Sequence, residues 1–78
     1  MPDCCVIIPT YNNEGTLEKV ILGVLEFTDH IIIVNDGSTD STRRIIQGFP
    51  AVTSLHYERN QGKGFAIRQG FKEAIRLG

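Results

Sequence analysis

Seventy-eight residues hold one small domain or part of a larger one, and a chain this short buries only about 60% of its unfolded surface. With 41% apolar and 22% charged residues, the composition is that of a globular protein and excludes intrinsic disorder. A net charge of −1, with the basic residues spread thinly over most of the chain, excludes the strong basic surface that nucleic acid demands.

The two cysteines, Cys4 and Cys5, are neighbours. Consecutive strand residues point to opposite faces, so they are read as two small buried hydrophobes in a reducing compartment rather than as a disulfide. No Cys–His spacing suggests a metal site. The amino terminus lacks a basic region followed by a long apolar one, and no apolar run approaches the ~20 residues of a membrane helix. A soluble, cytoplasmic chain is the expectation.

In chain order, residues 4–8 are apolar and largely β-branched, and read as a fully buried strand that Pro9 ends. After Thr10 to Asn13, Glu14 opens a helix. Its apolar positions Leu17, Val20, Ile21, Val24 and Leu25 follow the i, i+3, i+4, i+7, i+8 spacing of a core-facing stripe. An Asn before this helix and Glu14 in its first turn suit capping and the helix dipole. Ile31 to Val34 form the second strand, which empties into Asn35-Asp36-Gly37-Ser38-Thr39. A short helix follows through Gln47, stopped by Gly48-Phe49-Pro50. Residues 52–57 read as a third strand, less apolar and nearer an edge. Asn60-Gln61-Gly62-Lys63-Gly64 is a tight turn. The last helix starts about Phe65, with Ile67, Phe71, Ala74 and Ile75 on one side and Ala66, Gly70 and Ala74 spaced for close approach to a neighbour.

The β-α-β-α-β-α order predicts an α/β fold, a parallel three-stranded sheet in the order 3-2-1 with right-handed crossovers. It is one incomplete domain over residues 1–78, the three-layer half of a doubly wound unit. The first strand would then lie at a sheet edge, a template for self-association.

All three strand-to-helix turns fall at the carboxyl end of the sheet, where such folds bind ligands and where helix amino termini favour anions. Gly37-Ser38-Thr39 offers N–H and hydroxyl donors, whereas Asp36 offers an acceptor that would repel a bare phosphate. Together they point to a nucleotide, although an aspartate before glycine also serves simply to stabilise a turn. The first turn is not Gly-x-Gly-x-x-Gly, and Gly62-Lys63-Gly64 is not a P-loop. His30 and His56 are read as structural or solvated.

Three stretches resemble the family 2 glycosyltransferases: Val6-Ile7-Ile8-Pro9-Thr10-Tyr11-Asn12-x-Glu14, then Ile33-Val34-Asn35-Asp36-Gly37-Ser38-Thr39-Asp40, then Asn60-x-Gly62-Lys63-Gly64-x-Ala66 with Gly70. They come in the family's order and spacing and are similar to polyprenyl-phosphate sugar transferases in particular. The resemblance implies the amino-terminal, nucleotide-sugar-binding half of a GT-A fold. Carried over by position, Pro9, Thr10 and Tyr11 would line the base pocket and Glu14 would approach the base or ribose. Asp36 would accept a hydrogen bond from the base, and Lys63 would stand near the diphosphate. A UDP-sugar is the favoured donor and a GDP-sugar the alternative, with a membrane lipid as a candidate acceptor of the full-length protein.

Two departures matter. Asn35 stands where the family usually has an aspartate. The Asp-x-Asp motif that holds Mg²⁺ or Mn²⁺ is absent, as are the family's general base and acceptor site, so no catalytic or metal-binding residue is assigned here. The resemblance implies that these lie beyond residue 78 and that the chain alone is inactive. A non-catalytic nucleotide-binding or assembly module of the same fold is the competing reading. A nucleotidyltransferase is disfavoured, because Pro9-Thr10-Tyr11-Asn12 is not its glycine-rich, basic first loop.

Overall fold

A computed structural model describes residues 5–77. The elements are β1 (Val6–Thr10), α1 (Leu17–Leu25), β2 (Ile31–Asp36), α2 (Thr42–Gln47), β3 (Thr53–Tyr57) and α3 (Lys63–Leu77). The three strands are parallel with β2 in the centre, as the alternation predicts. Every residue of β2 is buried, whereas those of β3 are half-exposed, as expected of an edge.

Successive residues of β2 supply the two sides of the sheet. Ile31 and Ile33 pack with Leu17 and Ile21 of α1, Ile46 of α2 and Val52. Ile32 and Val34 face the other way, onto Ala66 of α3, with Ile7, Leu55, Tyr57 and Ala74 around them. The result is three layers, α1 and α2 below the sheet and α3 above it. Each fully buried Ile contributes about 1.5–3 kcal/mol, so β2 alone supplies much of the apolar driving force.

Several local expectations are corrected. β1 is half-buried along most of its length rather than fully buried, because it has a partner strand on one side only among the described residues. It also runs through Pro9 instead of ending before it. The Val6 N–H bonds the His30 carbonyl at 2.9 Å, which turns residues 6, 8 and 10 toward β2 and residues 7 and 9 outward. Pro9, lacking an N–H, therefore costs the ladder nothing. Cys5 is an exposed free thiol, not a buried one, and Cys4 lies outside the described residues. Helix α1 begins three residues later than expected, with Thr16 as its N-cap and no side-chain cap. Val20 is on its exposed side.

The start of α3 is two residues earlier than the periodicity suggests, and the stripe that meets the sheet is Ala66, Gly70 and Ala74. Ile67, Phe71 and Ile75 are exposed. A Cβ at Gly70 would run into the Ile7 Cγ2 methyl and sit 3.3 Å from that of Val34, so glycine sets how close α3 lies to β1 and β2.

Candidate functional site

The carboxyl ends of β1 and β2 and the start of α3 surround a cavity of about 300 Å³, lined by Pro9, Thr10, Tyr11, Asn13, Asp36, Asn60, Lys63 and Ala66. Five residues singled out from sequence converge here: Pro9, Thr10, Tyr11, Asp36 and Lys63. Glu14 does not line the cavity. Asn13, Asn60 and Ala66 were not anticipated. For Asn60 the signal was available, since it opens the same turn as Lys63; for Asn13 it was masked by the more conspicuous Glu14 beside it.

Asp36, the last residue of β2, is 3% exposed. One carboxylate oxygen accepts the Gln61 N–H at 2.8 Å and the other the Gly62 N–H at 2.8 Å. Its carbonyl accepts the Asn60 amide at 3.2 Å. A buried carboxylate is tolerable only with such partners. The β3–α3 turn is thereby tied to the end of β2. Gly37 completes the joint: at φ +78 its Cβ position would fall on the backbone of Arg59 and Asn60, so no side chain fits. Gly62 also has a positive φ, and Lys63 follows as the first helical residue of α3 with its side chain at the cavity. Among the described residues Lys63 has no carboxylate partner.

The β1–α1 loop is clasped to the β2–α2 loop at several points. The Asn12 N–H donates to Ser38 Oγ at 2.9 Å, and Asn12 Oδ1 accepts the Thr39 N–H at 2.8 Å. Asn12 does this in the left-handed region, at φ 52, where Asn is tolerated. The Glu14 N–H donates to Asp40 Oδ2 at 3.3 Å, while Glu14 Oε1 accepts the Ser41 N–H at 3.1 Å. Asp40 Oδ1 also accepts the Thr42 N–H at 2.9 Å. Partial burial pushes the Asp40 carboxyl up, but the hydrogen bonds from Thr42 and Glu14 outweigh it and hold the group below its ordinary range. Glu14 thus serves the neighbouring loop rather than capping its own helix.

Asn35, on the α1/α2 side, is 3% exposed and satisfied at both ends. Its Oδ1 accepts the Ser38 N–H at 3.3 Å, and its amide nitrogen pairs with Nδ1 of His56, its register partner on β3, at 3.1 Å. An amide donor requires Nδ1 to accept, so His56 is neutral with its proton on Nε2. Burial, and then the positive charge of Arg43, lower the His56 pKa and favour the same form. An aspartate at position 35 could not donate to this ring.

The Asp36 and Asp40 carboxylates accept backbone N–H groups, and among the described residues no three His, Cys, Asp or Glu side chains gather as a metal site. No helix among the described residues is long and apolar enough to cross a membrane.

Similar chains include a dolichyl-phosphate beta-glucosyltransferase of Saccharomyces cerevisiae, 30% identical over 85% of this chain and 25% of its own length. One from Trichomonas vaginalis is 34% identical over 83% of this chain and 25% of its own. A UDP-N-acetylglucosamine–dolichyl-phosphate N-acetylglucosaminyltransferase of Methanococcus voltae is 32% identical over 94% of this chain and 36% of its own. The chain thus spans roughly a quarter to a third of the length of these relatives. No solved structure matches it. The glycosyl transferase family 2 pattern matches residues 5–75, taking in β1, the Asn35–Asp40 loop and the Gly62-Lys63-Gly64 turn. The chain belongs to glycosyl transferase family 2.

Proposed function

We propose that this chain is the nucleotide-binding part of an enzyme that moves a sugar from a nucleotide-diphosphate-sugar to a polyprenyl-phosphate acceptor. A UDP-sugar is the first choice of donor and a GDP-sugar the second. The observation that carries the reading is the convergence of Pro9, Thr10, Tyr11, Asp36 and Lys63, from three separate turns, on one cavity at the carboxyl end of a parallel sheet. Its volume falls at the lower end of the roughly 300–1,000 Å³ range of small-molecule sites, which suits part of a donor rather than all of it. The three relatives named above are dolichyl-phosphate sugar transferases, which supports the lipid acceptor.

In this reading Tyr11 and Pro9 offer apolar surface to the base. Each Asp36 oxygen has a second lone pair beside the N–H it already accepts, and one of these takes the base N–H. Lys63, a point charge on a flexible stem, offsets the diphosphate. In the whole enzyme the acceptor oxygen attacks the anomeric carbon as the bond from that carbon to the diphosphate breaks. The diphosphate leaves with the electron pair, and the sugar inverts. The chain alone binds nucleotide without transferring sugar.

Titration of the purified chain with UDP and with uridine, followed by amide NMR spectra in the presence and absence of Mn²⁺, tests this. Metal-independent UDP binding, weakened by Lys63→Ala while uridine binding is retained, is the expected result. Asp36→Asn should weaken both ligands. Absence of binding by both UDP and GDP, or sugar transfer by the chain itself, would refute the proposal.

A further inference from the structure

The ring of His56, on β3, stands at the head of a hydrogen-bond chain that ends beside the cavity. Its register partner on β2, Asn35, is buried. A backbone N–H can only donate, so the Ser38 N–H, at 3.3 Å, fixes the Asn35 side-chain oxygen as its acceptor and turns the Asn35 amide nitrogen toward His56. That nitrogen lies 3.1 Å from Nδ1 of the ring, which must therefore be an unprotonated acceptor. Beyond Asn35 the chain continues into the β1–α1 loop. Ser38 Oγ accepts the Asn12 N–H at 2.9 Å, and Asn12 Oδ1 accepts the Thr39 N–H at 2.8 Å. Asn12 directly follows Pro9, Thr10 and Tyr11, three residues of the cavity wall.

A proton on Nδ1 would set donor against donor. One relief is to part the ring from Asn35, which leaves a buried amide without its acceptor. The other is to flip the amide, which turns its nitrogen onto the Ser38 N–H and breaks that hold. No neighbour compensates. Helix α2 brings the positive charge of Arg43 against the ring, and β2 meets it with the neutral Asn35. Asp36, next along β2, bonds the β3–α3 turn on the other face of the sheet, and among the described residues no carboxylate pairs with His56. Resting on the nucleotide reading above, we infer that His56 is a proton-operated latch: when its ring takes up a proton, the Asn35–Ser38–Asn12 chain loosens and the cavity holds its nucleotide more weakly. Burial and Arg43 keep the ring neutral, and the latch closed, until the pH falls below the ordinary His range.

The test uses the nucleoside alone, uridine or guanosine to match the diphosphate that the chain binds, because a nucleoside has no phosphate to titrate. Its affinity is followed by amide NMR at about pH 5 and about pH 7.5, either side of the ordinary His value, and the same spectra check that the fold persists. The wild type should bind about five-fold more weakly once the ring is protonated, the scale of one hydrogen bond. By linkage, saturating nucleoside should lower the His56 titration midpoint by the same factor, about 0.7 pH unit. His56→Gln, whose amide oxygen can replace Nδ1 as acceptor, should bind like the wild type at the higher pH and keep that affinity at the lower. Asn35→Asp, whose carboxylate can accept both the Ser38 N–H and a protonated ring, should remove or reverse the dependence. His30→Gln, at the other end of β2, should leave it intact. In the free wild type, the Ser38 and Asn12 amide resonances should track the His56 titration, and their failure to do so would overturn the inference. A wild-type affinity that does not change with pH, or a dependence that survives in folded His56→Gln, also overturns it while the nucleotide reading stands. If neither UDP nor GDP binds the wild type, both fall.

Discussion

The two faces of the sheet are built on different principles. On the α1/α2 side, large branched side chains interlock: Ile31 and Ile33 against Leu17, Ile21 and Ile46. On the α3 side, the helix presents only Ala66, Gly70 and Ala74 and comes so close that a methyl at Gly70 has no room. The first face holds the domain together, and the loops above it are locked by Asn12, Glu14 and Asp40. The second face sets the height of the α3 amino terminus over the cavity, and with it the position of Lys63. Stability and ligand geometry are thus separated by a single sheet.

That separation can be broken from either side. The largest loss of stability should come from Ile33→Ala, which removes a fully buried side chain from the α1/α2 core and leaves a cavity. A cost of about 3–4 kcal/mol is expected, read as a shift in the urea midpoint. Nucleotide affinity, measured by NMR under conditions where the variant is still folded, should be unchanged. Gly70→Val should cost less, about 2 kcal/mol of overpacking against Ile7 and Val34. Because it lifts α3, however, it should weaken UDP several-fold while uridine is little affected. Equal effects of the two substitutions on UDP would mean that the faces are not independent.

The smallest effect concerns the Asn35–His56 pair. The ordinary His pKa is 6.5, and burial followed by Arg43 holds that of His56 below it. The unfolded chain therefore takes up the proton more readily than the folded one. Stability from this group is complete above pH 6.5 and is lost as pH falls through the lower folded value. Urea midpoints should decline as pH drops below about 6.5, and His56→Gln, whose amide oxygen can replace Nδ1 as acceptor, should show a shallower decline. A steeper decline in the variant would contradict the neutral ring assigned here.

Much of this arrangement was legible in the residues. Branched apolar runs bounded by turn chemistry gave three strands in the right order, and the common end of the turns followed from parallelism. The residues read as base- and phosphate-facing, Glu14 excepted, do line one cavity. What escaped was decided by distant partners. Glu14 has the local signature of a helix start, yet its side chain is spent on Ser41, 27 positions away. In α3 two stripes share one period, Ile67-Phe71-Ile75 and Ala66-Gly70-Ala74. The close approach expected of the second stripe is found, and the proximity of Ile7 and Val34 identifies the neighbour as the sheet; what hydrophobicity did not give is that the first stripe faces outward. Pro9 reads as a strand terminator until its outward position on β1 is known.

The placement of Pro9 bears on association as well as on the ladder. Of the two β1 residues that face away from β2, residues 7 and 9, only Ile7 has an N–H to give. A strand from another chain could pair along the amino-terminal half of this edge, but it would find no donor at the end where the cavity opens. Self-pairing through β1 would therefore stop short of the cavity, and under the proposed nucleotide reading a docked neighbour and a bound nucleotide would be compatible rather than competing.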